Sequence, residues 1–233
     1  MIPLAVLVPL FALIGLGYGL GRGPLRDAWA QRGLRVFVLY AAQPAFVFRF
    51  VAEAPTVPSS ALAAPAAYLA ATRAAGAIVS AVAPTARRLA AMGAVSANVG
   101  YLGLPVVAVS PLRGDPEAVG AAIAILVADV LLVVMNANLV LLASGGLRSG
   151  LRAAMRAPLV WATAVGLAAR PVGMPLPELL ARLFGLLAGG AVPAACVSLG
   201  AALASASGAF ALSALRPVAA ALPGKLLFHP ALA

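Results

Sequence analysis

The segment Asn98-Val-Gly-Tyr-Leu-Gly-Leu-Pro105 sits inside an apolar stretch, Ala86 to Ser110, and could build a small polar site there. Pro105 has no N–H, and its ring clashes with the carbonyl of Tyr101 four residues back. Gly100 and Gly103 leave the backbone bare on either side of Tyr101. A helix broken in this way frees carbonyls beside the Asn98 amide. In a membrane such breaks occur where backbone lines a polar cavity, and the chemistry they supply is reversible capture of a solute by oriented dipoles. The competing reading is a packing kink, with Asn98 bonded to a neighbouring helix.

Four other places carry polar chemistry within apolar runs. Asp129 lies deep in one run, and Asn136, seven residues on, falls two turns along the same helical face. An intramembrane carboxylate is costly and is a functional candidate by default, here as carrier of a coupling ion. Its structural alternative is an ion pair with Arg73 or Lys225. Lys225 is mid-run and could hold an anion, with His229 one turn later at an interfacial position. Gln43 beside Pro44 is a further candidate for solute contact. Arg73, with Gly76 and Ser80 on its face, can point into a bundle, while Cys196, Ser198 and Gly200 read first as small packing residues.

These residues need helices to position them. Of 233 residues 64% are hydrophobic and 9% charged, with mean hydropathy +1.06. Soluble domains are about 45–50% apolar, so the bilayer must serve as solvent. A span needs roughly 20 apolar residues. The runs Ile2–Leu20, Leu34–Val51, Ser60–Val82, Ala86–Ser110, Ala118–Ala143, Pro158–Ala169, Leu179–Ala204 and Ala211–Leu232 give eight candidates. The sixth is short and is expected to begin nearer Leu151, with Arg152 and Arg156 snorkelling. The first run lacks a preceding positive region, so it reads as a retained span, not a signal peptide. The fold expected is an all-α polytopic bundle with a broken fourth helix, forming a single transmembrane domain over residues 1–233.

The charge balance of +10 follows a topology, not a nucleic-acid footprint, because the arginines stand singly between apolar runs. Arg22, Arg26, Arg32, Arg35, Arg87, Arg88, Arg148, Arg152 and Arg156 follow odd-numbered spans; Arg49, Arg113, Arg170 and Arg182 follow even-numbered ones. Nine against four places the first set in the cytoplasm and the N-terminus outside. One cysteine and one histidine remove disulfides and multi-ligand metal sites. The sequence has no phosphate-cradling loop for ATP. No catalytic set, metal site or cofactor is expected, and the chain does not read as an enzyme. Gln43-Pro44-Ala in span two and Val192-Pro193-Ala in span seven lie five helices apart, the signature of an inverted repeat.

Asn98-x-Gly-x-x-Gly-x-Pro105 in the fourth span resembles the auxin efflux carrier family, which includes plant PIN-type carriers and bacterial malonate-type permeases. Pro44, Pro193 with Ser198-Leu-Gly200, and Lys225 with Pro230 support the resemblance in order across nearly the whole chain. It implies a ten-helix inverted-repeat transporter fold, with broken helices four and nine crossing where an organic anion binds. It also implies alternating access by movement of a substrate-binding domain against a scaffold. On this scheme residues 1–143 form the first five-helix repeat and 151–233 an incomplete second one, lacking helices nine and ten. The expected function is a secondary transporter of small organic anions in a bacterial inner membrane. Its partners are the solute and the lipid bilayer, and a homodimer is one assembly open to it. The alternatives are a non-transporting membrane subunit or truncated remnant, and a sodium-coupled carrier of the bile-acid-symporter kind. A reporter fused near Arg148 is expected on the cytoplasmic side; activity of that fusion outside the cell would reverse the topology.

Overall fold

Backbone polar groups have no water to bond in a bilayer, so long apolar runs must satisfy them internally by coiling into helices. The computed structural model describes residues 4–53, 63–82, 114–141, 152, 155–172 and 176–206, and among them every regular element is helical. In chain order these are α1 (Leu4–Gly21), α2 (Ala28–Phe37), a π turn (Val38–Ala42), α3 (Gln43–Glu53), α4 (Ala63–Val82), α5 (Pro116–Leu141), α6 (Pro158–Val172) and α7 (Glu178–Ala206). They correspond to six of the eight expected spans, with α2, the π turn and α3 forming one. The fourth and eighth expected spans lie outside the described residues.

Prolines set several helix starts. Asp115 precedes Pro116 and accepts the Glu117 N–H at 2.9 Å, which satisfies one free donor of the first turn of α5. The sixth span begins at Pro158, and the expected earlier start near Leu151 is corrected: Ala157 interrupts the helical run. The ring of a proline disfavours the helical conformation for the residue before it, and here Ala157 ends one turn and Pro158 opens the next. Span two also differs from expectation, since helix begins at Ala28 and carries Arg32 and Arg35 on its first turns. Pro44 explains the π turn that precedes it. It has no N–H for the Tyr40 carbonyl, and the chain widens so that the Gln43 N–H bonds Val38 O instead.

The described helices fall into two compact units that interleave along the chain. The first contains α1, α2, the π turn, α3, α6 and α7. Here α1 packs on α7, α6 packs on α3, and α7 runs back along α2 and α3. The antiparallel register is set at two levels. Gln31 donates to Ser205 Oγ at 2.7 Å at one end, and the Phe48 and Phe184 rings lie 5.1 Å apart toward the other.

Backbone approaches backbone where α1 crosses α7. A methyl group placed on Gly200 would collide with the Ile14 carbonyl and the Tyr18 amide, and one on Gly17 with the Val197 carbonyl. One on Gly21 would lie 2.7 Å from Ala201 Cα. Gly166 on α6 plays the same part against α3, where a methyl would stand 3.1 Å from the Phe48 carbonyl and from Val51. A single spacing along the chain separates Pro9 from Pro158, Gly17 from Gly166 and Pro44 from Pro193. The same spacing relates the surfaces these glycines touch, Phe48 to Val197 and Val51 to Gly200.

The second unit contains α4 and α5, packed through Tyr68 and Ala128 with Leu69 and Ile125 against them. Ile123 and Leu126 on α5 are almost fully buried. Elsewhere large apolar side chains face outward, among them Phe11 at 67%, Leu179 at 79% and Leu186 at 80% exposure. Ala28–Glu53 and Glu178–Ala206 are long and apolar enough to cross a membrane, and Leu7–Gly21 and Pro158–Ala169 are shorter apolar helices. An apolar surface of this extent is matched by lipid, not by water.

Gly200→Val is expected to destabilise the protein by at least about 1–3 kcal/mol, because backbone, not a movable side chain, occupies the space. Gly189→Ala, which meets nothing within 4 Å, should be neutral or gain up to about 1 kcal/mol from helix propensity. Thermal melts of the two variants in detergent check this; equal behaviour would refute the tight crossing.

Candidate functional site

Asp129 is buried at 6% exposure on α5. The Tyr68 hydroxyl, from the facing helix α4, donates to its Oδ1. Thr72 follows Tyr68 by one helical turn, is 1% exposed, and its hydroxyl engages the Tyr68 oxygen. The positions follow from local structure. Tyr68 and Thr72 are four apart and share one helical face, and this face meets the stripe of α5 that holds Ile125, Ala128 and Asp129. A carboxylate taken from water into such surroundings carries a large desolvation cost, which hydrogen bonds offset only in part. The Tyr68 bond serves the carboxyl in either protonation state. Ionised, Asp129 accepts it on Oδ1; protonated on Oδ2, it still accepts on Oδ1.

The sequence candidates divide as follows. Asn98, Gly100, Tyr101, Gly103, Pro105 and Lys225 lie outside the described residues. Asn136 is on α5, two turns beyond Asp129. Arg73, expected to point into the bundle, is exposed beside Thr72; the hydroxyl of Tyr68 contacts the carboxyl instead, because Tyr68 and not Arg73 occupies the face toward α5. Gln43 and Pro44 belong to the first unit, at the junction of the π turn and α3. Gln43 is 9% exposed, and its amide has no hydrogen-bond partner among the described residues. Ser198 and Gly200 are packing residues on α7, as expected, with Gly200 at the crossing. Cys196 is buried.

Tyr68 and Thr72 escaped sequence reading, although two hydroxyl side chains four apart in an alanine-rich helix are a legible polar pair. Gln31 escaped too. It is 6% exposed and donates to Leu25 O at 2.8 Å and to Ser205 Oγ at 2.7 Å, joining α7 to the turn after α1. Gly17-x-x-x-Gly21 is the close-packing motif of apolar helices, and its spacing alone announces the α1 crossing.

Apolar helices with outward-facing leucine and phenylalanine, a glycine-tight crossing and a carboxyl sealed between two helices define an integral membrane protein of the helical class. The family model described as membrane transport protein matches residues 4–146, more than half of the sequence. The chain therefore belongs to this family of membrane transporters, that of the auxin efflux carriers and PIN-like proteins. A search among curated proteins found no match.

The Tyr68–Asp129 bond should appear as an interaction energy of about 1 kcal/mol in a double-mutant cycle of Tyr68→Phe and Asp129→Asn, read from unfolding in mixed micelles. Additive effects would show that the two side chains do not sense each other.

Proposed function

We propose that the protein is a secondary active transporter, a permease or efflux carrier, for small organic anions such as carboxylates, working by alternating access. The observation that carries this reading is the buried Asp129 carboxyl, held by Tyr68 between membrane helices of a transporter family. A structural role alone would be met more cheaply by an apolar side chain, whereas a buried carboxyl held by a hydroxyl suits ion coupling. Asn98, with the backbone freed around Gly100, Tyr101, Gly103 and Pro105, would hold the substrate carboxylate, and Lys225 would supply a positive charge. Gln43 beside Pro44 offers a buried amide with donors to spare. Asn136, two helical turns beyond Asp129 on α5, is the second ion-coupling candidate.

The two repeats, 1–143 and 151–233, are part of the proposal. Their support is the common spacing that relates Pro9, Gly17 and Pro44 to Pro158, Gly166 and Pro193, and that relates α1 on α7 to α6 on α3. The first unit, whose backbone contacts leave no slack, suits a scaffold. The second, holding Asp129, suits the part that carries the coupling group. The protein is placed in a bacterial inner membrane with its N-terminus outside, without enzymatic activity, and a homodimer is compatible with this.

Proteoliposomes test the reading. Uptake of labelled malonate is expected under an imposed pH gradient, and Asp129→Asn should abolish the pH dependence while the protein remains folded. Unchanged pH dependence in that variant removes Asp129 from coupling, and a requirement for a sodium gradient would select the bile-acid-symporter-like alternative. Absence of flux for malonate and related carboxylates under either gradient would leave the non-transporting subunit.

A further inference from the structure

We propose that the outward face of α2, with the turn that precedes it, is a binding site for the headgroup of an anionic phospholipid. On α2 the inward face is Gln31 and Leu34, continued by Val38 of the π turn, and the outward face carries Trp29, Arg32, Arg35 and Val36. Trp29, Arg32 and Val36 follow one another at helical spacing along one line. Trp29 is 85% exposed and Val36 48%, and Arg32 and Arg35 are exposed beside them. A face that alternates an indole, an aliphatic chain and guanidinium groups matches the boundary between acyl chains and headgroups.

The array is held, not loose. The turn is closed by hydrogen bonds from Leu25 N–H to the Leu20 carbonyl at 2.8 Å and from Arg26 N–H to the Gly23 carbonyl at 3.0 Å. Gln31 ties this turn to the end of α7 through the Leu25 carbonyl and the Ser205 hydroxyl. Arg22 lies against Tyr18, its guanidinium 4.6 Å from the ring centroid and donating to the hydroxyl at 2.6 Å. The Arg22 side chain is thus held against Tyr18, and Arg26, Arg32 and Arg35 project from a backbone that is held at the same end of the first unit.

Charge distribution between the two ends of this unit identifies the occupant. Toward the opposite end two arginines are paired within their own helices: Arg49 with Glu53 at 2.7 Å and Arg182 with Glu178 at 2.5 Å. At the α2 end four arginines face a single acid, Asp27, and none of them is in a salt bridge among the described residues. Guanidinium groups outside any salt bridge among the described residues, beside an exposed indole and valine, complement a lipid that bears a phosphate anion and two acyl chains. A protein partner would need acidic residues in register with the bilayer surface, whereas anionic lipid is present there in excess.

Fluorescence quenching tests the proposal. The sequence has two tryptophans, so Trp161→Phe leaves Trp29 as the reporter. The full-length protein in vesicles is titrated with phosphatidylglycerol or phosphatidylcholine, each brominated on its acyl chains, at equal mole fraction. Brominated phosphatidylglycerol should associate several-fold more tightly. The double variant Arg32→Gln/Arg35→Gln should bring that preference close to one, with quenching by phosphatidylcholine unchanged as the control for folding. Arg182→Gln should change nothing. Equal quenching by the two lipids, or a preference that survives the double variant, overturns the proposal. Displacement of phosphatidylglycerol by millimolar inorganic phosphate overturns it as well, since the site would then bind free anion.

Discussion

Helices immersed in lipid gain nothing from hiding apolar surface against one another, because lipid tails are equally apolar. Association must come from close contact and from hydrogen bonds. In the first unit this constraint is met where α1 crosses α7, at Gly17, Gly21, Gly200 and Ala201. Only residues without bulk let two helical backbones approach so closely, and the approach multiplies dispersion contacts between main chains. Gly166 repeats the device between α6 and α3. The buried core around it is accordingly small-chained, with Ala42, Val47, Val51 and Ala191 all at 0% exposure.

Polar groups act in this setting as position markers. Gln31 spends its amide on Leu25 and Ser205, and so fixes the register of α2 against α7. Tyr68 spends its hydroxyl on Asp129 and fixes α4 against α5. The two bonds differ in consequence. Gln31 has no protonation change to offer, and its bond is structural. Asp129 does, and it is on this difference that its proposed part in ion coupling rests. The distinction rests on side-chain chemistry, since both residues are equally buried.

Pro44 and Pro193 show that identical residues need not have identical effects. Pro44 is preceded by a π turn that takes up the lost hydrogen bond, and a buried glutamine stands at the junction. Pro193 lies within the continuous helix α7 and is exposed. Sequence symmetry between the two halves is visible in the proline and glycine positions. Local geometry departs from it where polar residues occur in one half alone: Gln43 has Val192 at the related position.

The sequence by itself determined that this is a helical membrane protein, where most described helices begin and end, and which family it joins. These follow from local quantities: an apolar run of spanning length, a proline that cannot continue a helix, a Gly/Pro pattern inside a span. It also singled out Asp129, because a carboxyl in an apolar run is anomalous wherever it falls. Only the tertiary structure decided what Asp129 meets. Tyr68 and Arg73 were both within reach along α4, and the choice depends on which face of α4 turns toward α5, a rotation that an alanine-rich helix with little contrast between its faces leaves undetermined. For the same reason the partner of Gly17 could not be named in advance. Small residues permit close approach from many directions, and the pairing of α1 with α7 emerges only when all faces of the unit compete for contact at once.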